Sequence, residues 1–344
     1  MQTTADQVRS PLSAELLGLL RCTACRSPLV EQEDGYSCPS CRREFPPVRG
    51  VLRFVDAHNY ADSFGYQWNK FDQTQLDQGP RTLSDRDFRR KTGLKPEDLE
   101  GKLVLDVGCG MGRFAEVATR WGARVVGIDL SAAVEAAARN LAEREFVALQ
   151  ADVFALPFAP ESFDFIYSMG VLHHTPDCEK AFKTLPQYLK PGGGIAIWLY
   201  SGYNKWYRFS DLYRKVTHRM PAPLLLGILR VAVPFFYWLD RGLRAIPLAG
   251  RPLAGLIHLV FPVNRHTNAE MRVLDTFDWY SPKYQSKHTY EQVFRWFEDS
   301  GLRDLTVGEL SIGVRASKPA AAEQAGERYR VSPDRVSSNR VSSE

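Results

Sequence analysis

The sequence predicts an α/β domain built on a parallel sheet with helices on both faces, carrying a small cysteine-rich module in front and a helical insert within it. Three observations carry this expectation. Apolar strand-like runs alternate with helical patterns between residues 103 and 200. Two Cys-x2-Cys pairs fall inside residues 22–41, and residues 201–268 interrupt the alternation with long apolar stretches edged by basic residues.

In chain order, residues 12–20 (LSAELLGLL) hold leucines at helical spacing and predict a short packing helix within an N-terminal segment 1–21. Residues 22–49 have turn residues beside both cysteine pairs and too few apolar side chains for a core of their own. Residues 50–100 are mixed and aromatic, with Phe64, Tyr66, Trp68 and Phe71, and read as a lid or linker. Ser84 and Asp87 predict a capped helix start there, closed by Gly93 and Pro96. Within a core of 101–200, strands are expected at 103–107 (LVLDV), 124–129 (RVVGID), 146–150 (FVALQ), 163–168 (FDFIYS) and 195–200 (IAIWLY). The stretch 132–142 supplies one of the helices between them.

The insert 201–268 contains 220–239 (MPAPLLLGILRVAVPFFYWL), whose single charge is Arg230. Its length fits a membrane span, but Pro221, Pro223, Pro234, Arg230 and the basic flanks argue against one, because a spanning helix must satisfy its own backbone. The core pattern returns over 269–316. A helix is expected at 289–299, ending at Gly301, followed by two closing strands in LRDLTV and SIGVRA. Residues 317–344 repeat Arg-Val-Ser at 330, 335 and 340 and read as a disordered tail.

With 344 residues and 44% hydrophobic content, a disordered or fibrous chain is excluded. Lys+Arg 44 against Asp+Glu 40 is too balanced to mark a nucleic-acid binder. The basic excess is local: residues 201–268 hold ten Lys/Arg against Asp211 and Asp240. The first twenty residues lack the basic start, apolar core and small-residue cleavage site of a secretory leader, so a cytoplasmic location is expected. Four of six cysteines in two pairs fit metal binding in a reducing compartment better than disulfides.

Cys22, Cys25, Cys38 and Cys41, with twelve residues between the pairs, match a tetrahedral zinc site. Zinc would replace the missing core of a ribbon over 22–49, as metal does in many small modules. The ribbon's role is either scaffolding or recognition of a substrate or partner.

The strongest signal is LVLDVGCGMG at 103–112, a buried strand running into Gly108, Gly110 and Gly112 and then a helix. Alternate glycines let a ligand lie against backbone, and a helix start offers unpaired N–H groups. Nicotinamide and flavin enzymes use a related turn, so the surrounding acids decide. Asp106 lies inside the turn, where it would repel a pyrophosphate and welcome an ammonium. Asp129 ends the next strand, suited to two ribose hydroxyls. Asp152 follows FVALQA, placed for an adenine amine. An ammonium, a ribose and an adenine together describe S-adenosylmethionine.

The blocks VLDVGCGMGRF (104–114), VVGIDLS (125–131), ADVFALPFAPESFDFIYSMGVLHHTPD (151–177) and LPQYLKPGGGIAIWLY (185–200) resemble the class I S-adenosylmethionine-dependent methyltransferases of the type 11 or ubiquinone-biosynthesis-like group. The resemblance implies a seven-stranded Rossmann-like sheet whose last strand is antiparallel, with cofactor contacts at Asp106, Gly108, Gly110, Asp129, Asp152 and Val153. Cys109, Gly112, Leu130 and Met169 complete the expected cofactor-binding set, with Cys109 a small filler in the turn. The cysteine module resembles the Trm112-like zinc ribbons.

His173 and His174 follow the fourth strand where members of the group present groups to the transferring methyl. Either is a candidate base for an acceptor that must lose a proton, or packs beneath the cofactor. Tyr284 and His288 are further candidates. The aromatic 64–71 segment is expected to lie over the cofactor or to pack. The insert, placed after strand five, is expected to cap the substrate. Apolar helices with basic edges suit a lipid-linked acceptor or peripheral membrane contact, and equally a cover for a soluble small molecule or a dimer interface. The resulting expectation is methyl transfer to a small or lipid-linked metabolite. The rivals are an RNA methyltransferase guided by the ribbon, whose own charge is near zero, a non-catalytic adaptor that senses S-adenosylmethionine, and a nicotinamide dehydrogenase.

Overall fold

The computed structural model describes residues 13–56, 59–77, 82–203 and 208–321. Residues 1–12 and 322–344, the latter most of the expected tail, lie outside the described residues. Residues 317 and 318 do not belong to a tail. Ser317 closes the last strand, and Lys318 donates its backbone N–H to the Gly193 carbonyl at 2.8 Å.

Helix α1 (Ala14–Leu19) is capped by the Ser13 hydroxyl. Strands β1 (Val30–Gln32), β2 (Gly35–Ser37) and β3 (Glu44–Phe45) form a small antiparallel sheet over the four cysteines. A hairpin of β4 (Pro47–Val48) and β5 (Val51–Arg53) then joins the main sheet, which the expected lid or linker over 50–100 did not include. Helices α2 (Asp62–Lys70) and α3 (Leu83–Thr92) follow. The Ser84 capping box does not form. Ser84 lies inside α3 with its hydroxyl donating to the Gln75 carbonyl, and Asp87 pairs with Arg113.

The core runs β6 (Leu103–Val107), α4 (Arg113–Arg120), β7 (Arg124–Asp129), α5 (Val134–Asn140), β8 (Phe146–Gln150), β9 (Phe163–Met169), α6 (Cys178–Lys183) and β10 (Leu189–Trp198). Four cap helices come next: α7 (Arg208–Thr217), α8 (Ala222–Arg244), α9 (Gly250–Val260) and α10 (Ala269–Tyr280). Helix α11 (Tyr290–Asp299) and strands β11 (Arg303–Val307) and β12 (Gly313–Ser317) close the fold. The main sheet reads β11-β12-β10-β9-β6-β7-β8-β5-β4. Its seven strands β6–β12 are parallel except β12, which is antiparallel to both neighbours, and β5 and β4 extend the β8 edge.

Every residue of β6 is buried, as a parallel strand covered on both faces requires. Helix α4 buries Phe114, Ala115, Val117 and Ala118, one face at helical spacing. The chain winds one way from β6 to β7 and the other way to β9, so a crevice opens at the carboxyl end of β6, where such sheets bind ligands.

The ribbon is docked rather than free. Leu29, Tyr36 and Phe45 join the core cluster that holds Leu156 and Phe158, and Arg26 donates to the carbonyls of both latter residues at 2.6 Å. Packing against the main domain thus adds to whatever metal supplies. Helix α10, expected with the C-terminal core, belongs to the cap: Leu274, Phe277 and Tyr280 are buried with Leu225, Leu229 and Val233 of α8.

Candidate active site

Gly108, Gly110 and Gly112 all have positive φ (83°, 55° and 92°), closed to most other residues. A Cβ on Gly108 would come within 2.3 Å of Val171. The Gly110 N–H donates to Asp129 Oδ2 at 3.0 Å, tying the turn to the end of β7.

Beside this turn lies a cleft of about 520 Å³. Gly108, Cys109, Gly110, Asp129, Leu130, Asp152, Val153, Met169 and His174 all line it. Asp129 accepts three hydrogen bonds, from Gly110 N–H, Ser131 N–H at 2.8 Å and Ser131 Oγ at 2.7 Å, and burial raises its pKa above the usual carboxylate value. Its two oxygens offer about four acceptor sites, which leaves room for a ligand hydroxyl. Asp152 Oδ1 accepts from Phe154 N–H at 3.0 Å. The main-chain carbonyl of Leu130 is held from two sides, by Gln150 Nε2 at 2.7 Å and Asn59 Nδ2 at 2.9 Å.

Gln67 of α2 is the feature sequence reasoning missed. It is 1% exposed, lines the cleft, and neither its amide oxygen nor its amide nitrogen has a partner among the described residues. Buried amides are normally satisfied. An unpaired one facing a cleft marks a place for a polar ligand group. Its signal lay in the aromatic 64–71 segment, where rings drew attention instead. Trp68 lies along the same turn, 3.5 Å from where a Gly110 Cβ would stand.

Five expected site residues, Asp106, Gly112, His173, Tyr284 and His288, do not line the cleft. Asp106 lies within β6 and pairs in register with Tyr167 of β9, so its side chain goes to the sheet face, where it accepts from the Tyr167 hydroxyl at 3.1 Å. Burial pushes its pKa up to about 8. Gly112 faces α5, and a Cβ there would sit 2.9 Å from Leu141, so its role is packing. His173 is fully buried, stacked on Tyr200 with ring centroids 4.0 Å apart, and neither ring nitrogen has a hydrogen-bond partner among the described residues. Burial pulls its pKa well below the imidazole range, and it cannot reach an acceptor in the cleft.

His174 does line the cleft. Its Nδ1 lies 3.0 Å from the Tyr284 carbonyl, and a carbonyl only accepts, so Nδ1 carries the proton and Nε2 keeps its lone pair. Burial lowers its pKa and favours this neutral form. Tyr284 contributes its backbone carbonyl there, whereas His288 bonds Ser286 Oγ at 2.7 Å outside the cleft.

Beyond His174 the cleft continues to side chains from separate elements. Asp278 of α10 accepts from the Tyr200 hydroxyl at 2.7 Å, and Asp275 accepts from Asn264 Nδ2 at 2.9 Å. Burial and the neighbouring Asp278 push Asp275 up to about 7. Lys91 of α3 has no ion-pair partner among the described residues. Its ammonium lies 4.1 Å from the Trp198 ring centre, and burial draws its pKa down to about 7. This half of the cleft is therefore polar, with acidic and basic side chains side by side.

The four cysteine sulfurs form a second site. All lie within 4.8 Å of one another, with Cys25 and Cys38 at 3.3 Å and Cys22 and Cys41 at 3.5 Å. Each pair sits in a matching turn: Arg26 and Arg42 adopt positive φ and return their N–H groups to the carbonyls of Cys22 and Cys38 at 2.9 Å. Sulfurs bound to one zinc at ~2.3 Å lie about 3.8 Å apart, so this donor set fits zinc.

The strand order, the lone antiparallel strand and the glycine turn tied to Asp129 are those of the class I S-adenosylmethionine-dependent methyltransferase fold. Residues 105–197 match a family described as a methyltransferase domain. The chain is 38% identical over 100 residues to a ubiquinone biosynthesis O-methyltransferase of Coxiella burnetii, covering 28% of this chain and 43% of that one. It is 31% identical over 198 residues to a sterol 24-C-methyltransferase of Gibberella zeae, covering 55% and 46%. Among solved structures, an S-adenosylmethionine-dependent methyltransferase from Mesorhizobium loti aligns at 30% identity with a TM-score of 0.30, covering 35% of this chain and 54% of that one. The chain thus spans less than half the length of these two curated relatives.

Proposed function

We propose that this protein methylates a small or lipid-linked metabolite held between the strand ends and the cap, using S-adenosylmethionine. The observation that carries the reading is the cleft, which joins Asp129, Asp152 and the unpaired Gln67 at one end to His174, Tyr200 and Asp278 at the other. Asp129 would accept the ribose hydroxyls, Asp152 and Val153 would meet the adenine, and Gln67 would bond the amino-acid head. The bound cofactor supplies an activated sulfonium methyl, so positioning the acceptor in line accounts for much of the rate. His174 would take the acceptor's proton at Nε2, with Nδ1–H anchored on Tyr284. The matched relatives are named for ubiquinone and sterol methylation, which supports a small or lipid acceptor.

Incubating the protein with methyl-labelled S-adenosylmethionine and separate lipid, small-metabolite and RNA fractions tests the reading. Label is expected in the lipid or small-metabolite fraction and lost with His174→Gln. Label in RNA alone overturns the substrate class. Cofactor binding without transfer to any fraction makes the protein an adaptor.

A further inference from the structure

Of the seventeen large hydrophobic side chains exposed among the described residues, thirteen lie between 203 and 261. On α8, Leu224, Ile228, Val231, Phe235 and Trp238 recur at helical spacing and form one outward face, with Val231 74% and Trp238 63% exposed. Leu248, in the turn after α8, is fully exposed. The opposite face of the same helix is committed: Leu225, Leu229 and Val233 are buried against α10. By the 100° step of the helix, Arg230 and Arg241 fall at the boundary between the two faces.

Charge gives this face a direction. Both acids of residues 201–268 are consumed. Asp211 pairs with Arg214 and Lys287, and Asp240 with Arg244 and Arg265. Lys215, Arg219, Arg230 and Arg251 are exposed and have no acidic partner among the described residues. We infer that this outer face of the cap docks on an anionic membrane surface, with the apolar side chains entering the headgroup boundary and the flanking arginines meeting lipid phosphates. The length of α8 admits a span. Spanning would strip Leu225, Leu229 and Val233 from the cap core and carry the buried Asp240 with its arginine partners into lipid. A second copy of the chain would set one basic face against another. Surface docking avoids both conflicts, and it stands independently of the catalytic reading.

Flotation of the full chain with vesicles tests the inference, comparing phosphatidylcholine alone with phosphatidylcholine containing phosphatidylglycerol at low and high salt. Binding to the anionic vesicles is expected, weaker on the order of tenfold on neutral vesicles and in high salt. Val231→Asp with Phe235→Asp should abolish it while leaving the melting temperature unchanged, since both side chains are exposed. Equal binding to neutral and anionic vesicles, or none to either, overturns the inference. So does resistance of the bound protein to carbonate extraction, which marks a span. A concentration-dependent dimer that the double variant dissociates, without vesicle binding, assigns the face to a second copy.

Discussion

The ribbon and the cap are two additions to one sheet, and they are attached by different physics. The ribbon is joined through the β4–β5 hairpin that follows it and pairs with β8, by a cysteine cluster suited to zinc, and by bonds from Arg26 to main-domain carbonyls. The cap is held by apolar packing around Phe277 and leaves a second apolar face outside. They also connect to different groups of residues around the cleft. From the hairpin that follows the ribbon, Arg53 of β5 bonds Gln150 and Glu135, and Gln150 in turn holds the Leu130 carbonyl in the expected cofactor half. From the cap, Asp275, Asp278 and Trp279 line the half expected for the acceptor. Disturbing the ribbon should therefore move cofactor affinity, and disturbing the cap should move acceptor affinity.

Metal removal is expected to have the largest effect. Structural zinc contributes on the order of 10 kcal/mol in isolated small modules, and docking against Leu156 and Phe158 takes over part of that here. Chelation, or Cys38→Ser, should lower the melting temperature and weaken cofactor binding together, read by calorimetry. Unchanged values for both would break the link between ribbon and cleft.

Arg53→Ala comes next. It leaves Glu135, 7% exposed, paired only with the exposed Arg49, so stability should fall by less than the ~3–5 kcal/mol of a buried charge left with no partner. Cofactor affinity should fall with it while the acceptor KM of the folded fraction stays the same. A change confined to the acceptor KM would contradict the division of labour.

Gln67→Leu should act with opposite signs on two measurements. Removing an unsatisfied buried amide should stabilise the free protein by about 1 kcal/mol, and should weaken cofactor binding by a similar amount. A free protein that is destabilised would show that Gln67 has a structural partner.

The smallest expected effect is on pH dependence. Burial lowers the His174 pKa below 6.5, so the base form stays populated as pH falls to that value. The transfer rate should be nearly flat from about pH 8 down to the ordinary imidazole range and bend down only below it. His174→Gln should remove the bend. A bend above 6.5 would assign the titration to another group.

How much of this was legible in the sequence follows from how local each feature is. The core strands were readable because parallel strands buried on both faces appear as unbroken apolar runs, and the glycine turn and cysteine pairs were readable from spacing alone. Strands β4 and β5 were not, since two or three residues carry no periodicity. Asp106 and Asp129 look alike in sequence, each near a strand end, but Asp106 sits one residue inside β6 and faces Tyr167, whereas Asp129 ends β7. His173 and His174 are neighbours that point apart, which only the packing of Tyr200 and Tyr284 decides. Gln67, Lys91, Tyr200 and Asp278 come from four separate elements, and no local pattern foretells their convergence.

Calorimetric titration of the intact chain with S-adenosylhomocysteine, set beside Asp129→Ala, tests the central claim most directly. One site per chain is predicted, weakened by about 1–3 kcal/mol in the variant through lost charge-assisted hydrogen bonds. Equal affinity in the two proteins, or no binding by the unaltered chain, would contradict the assignment of the cleft.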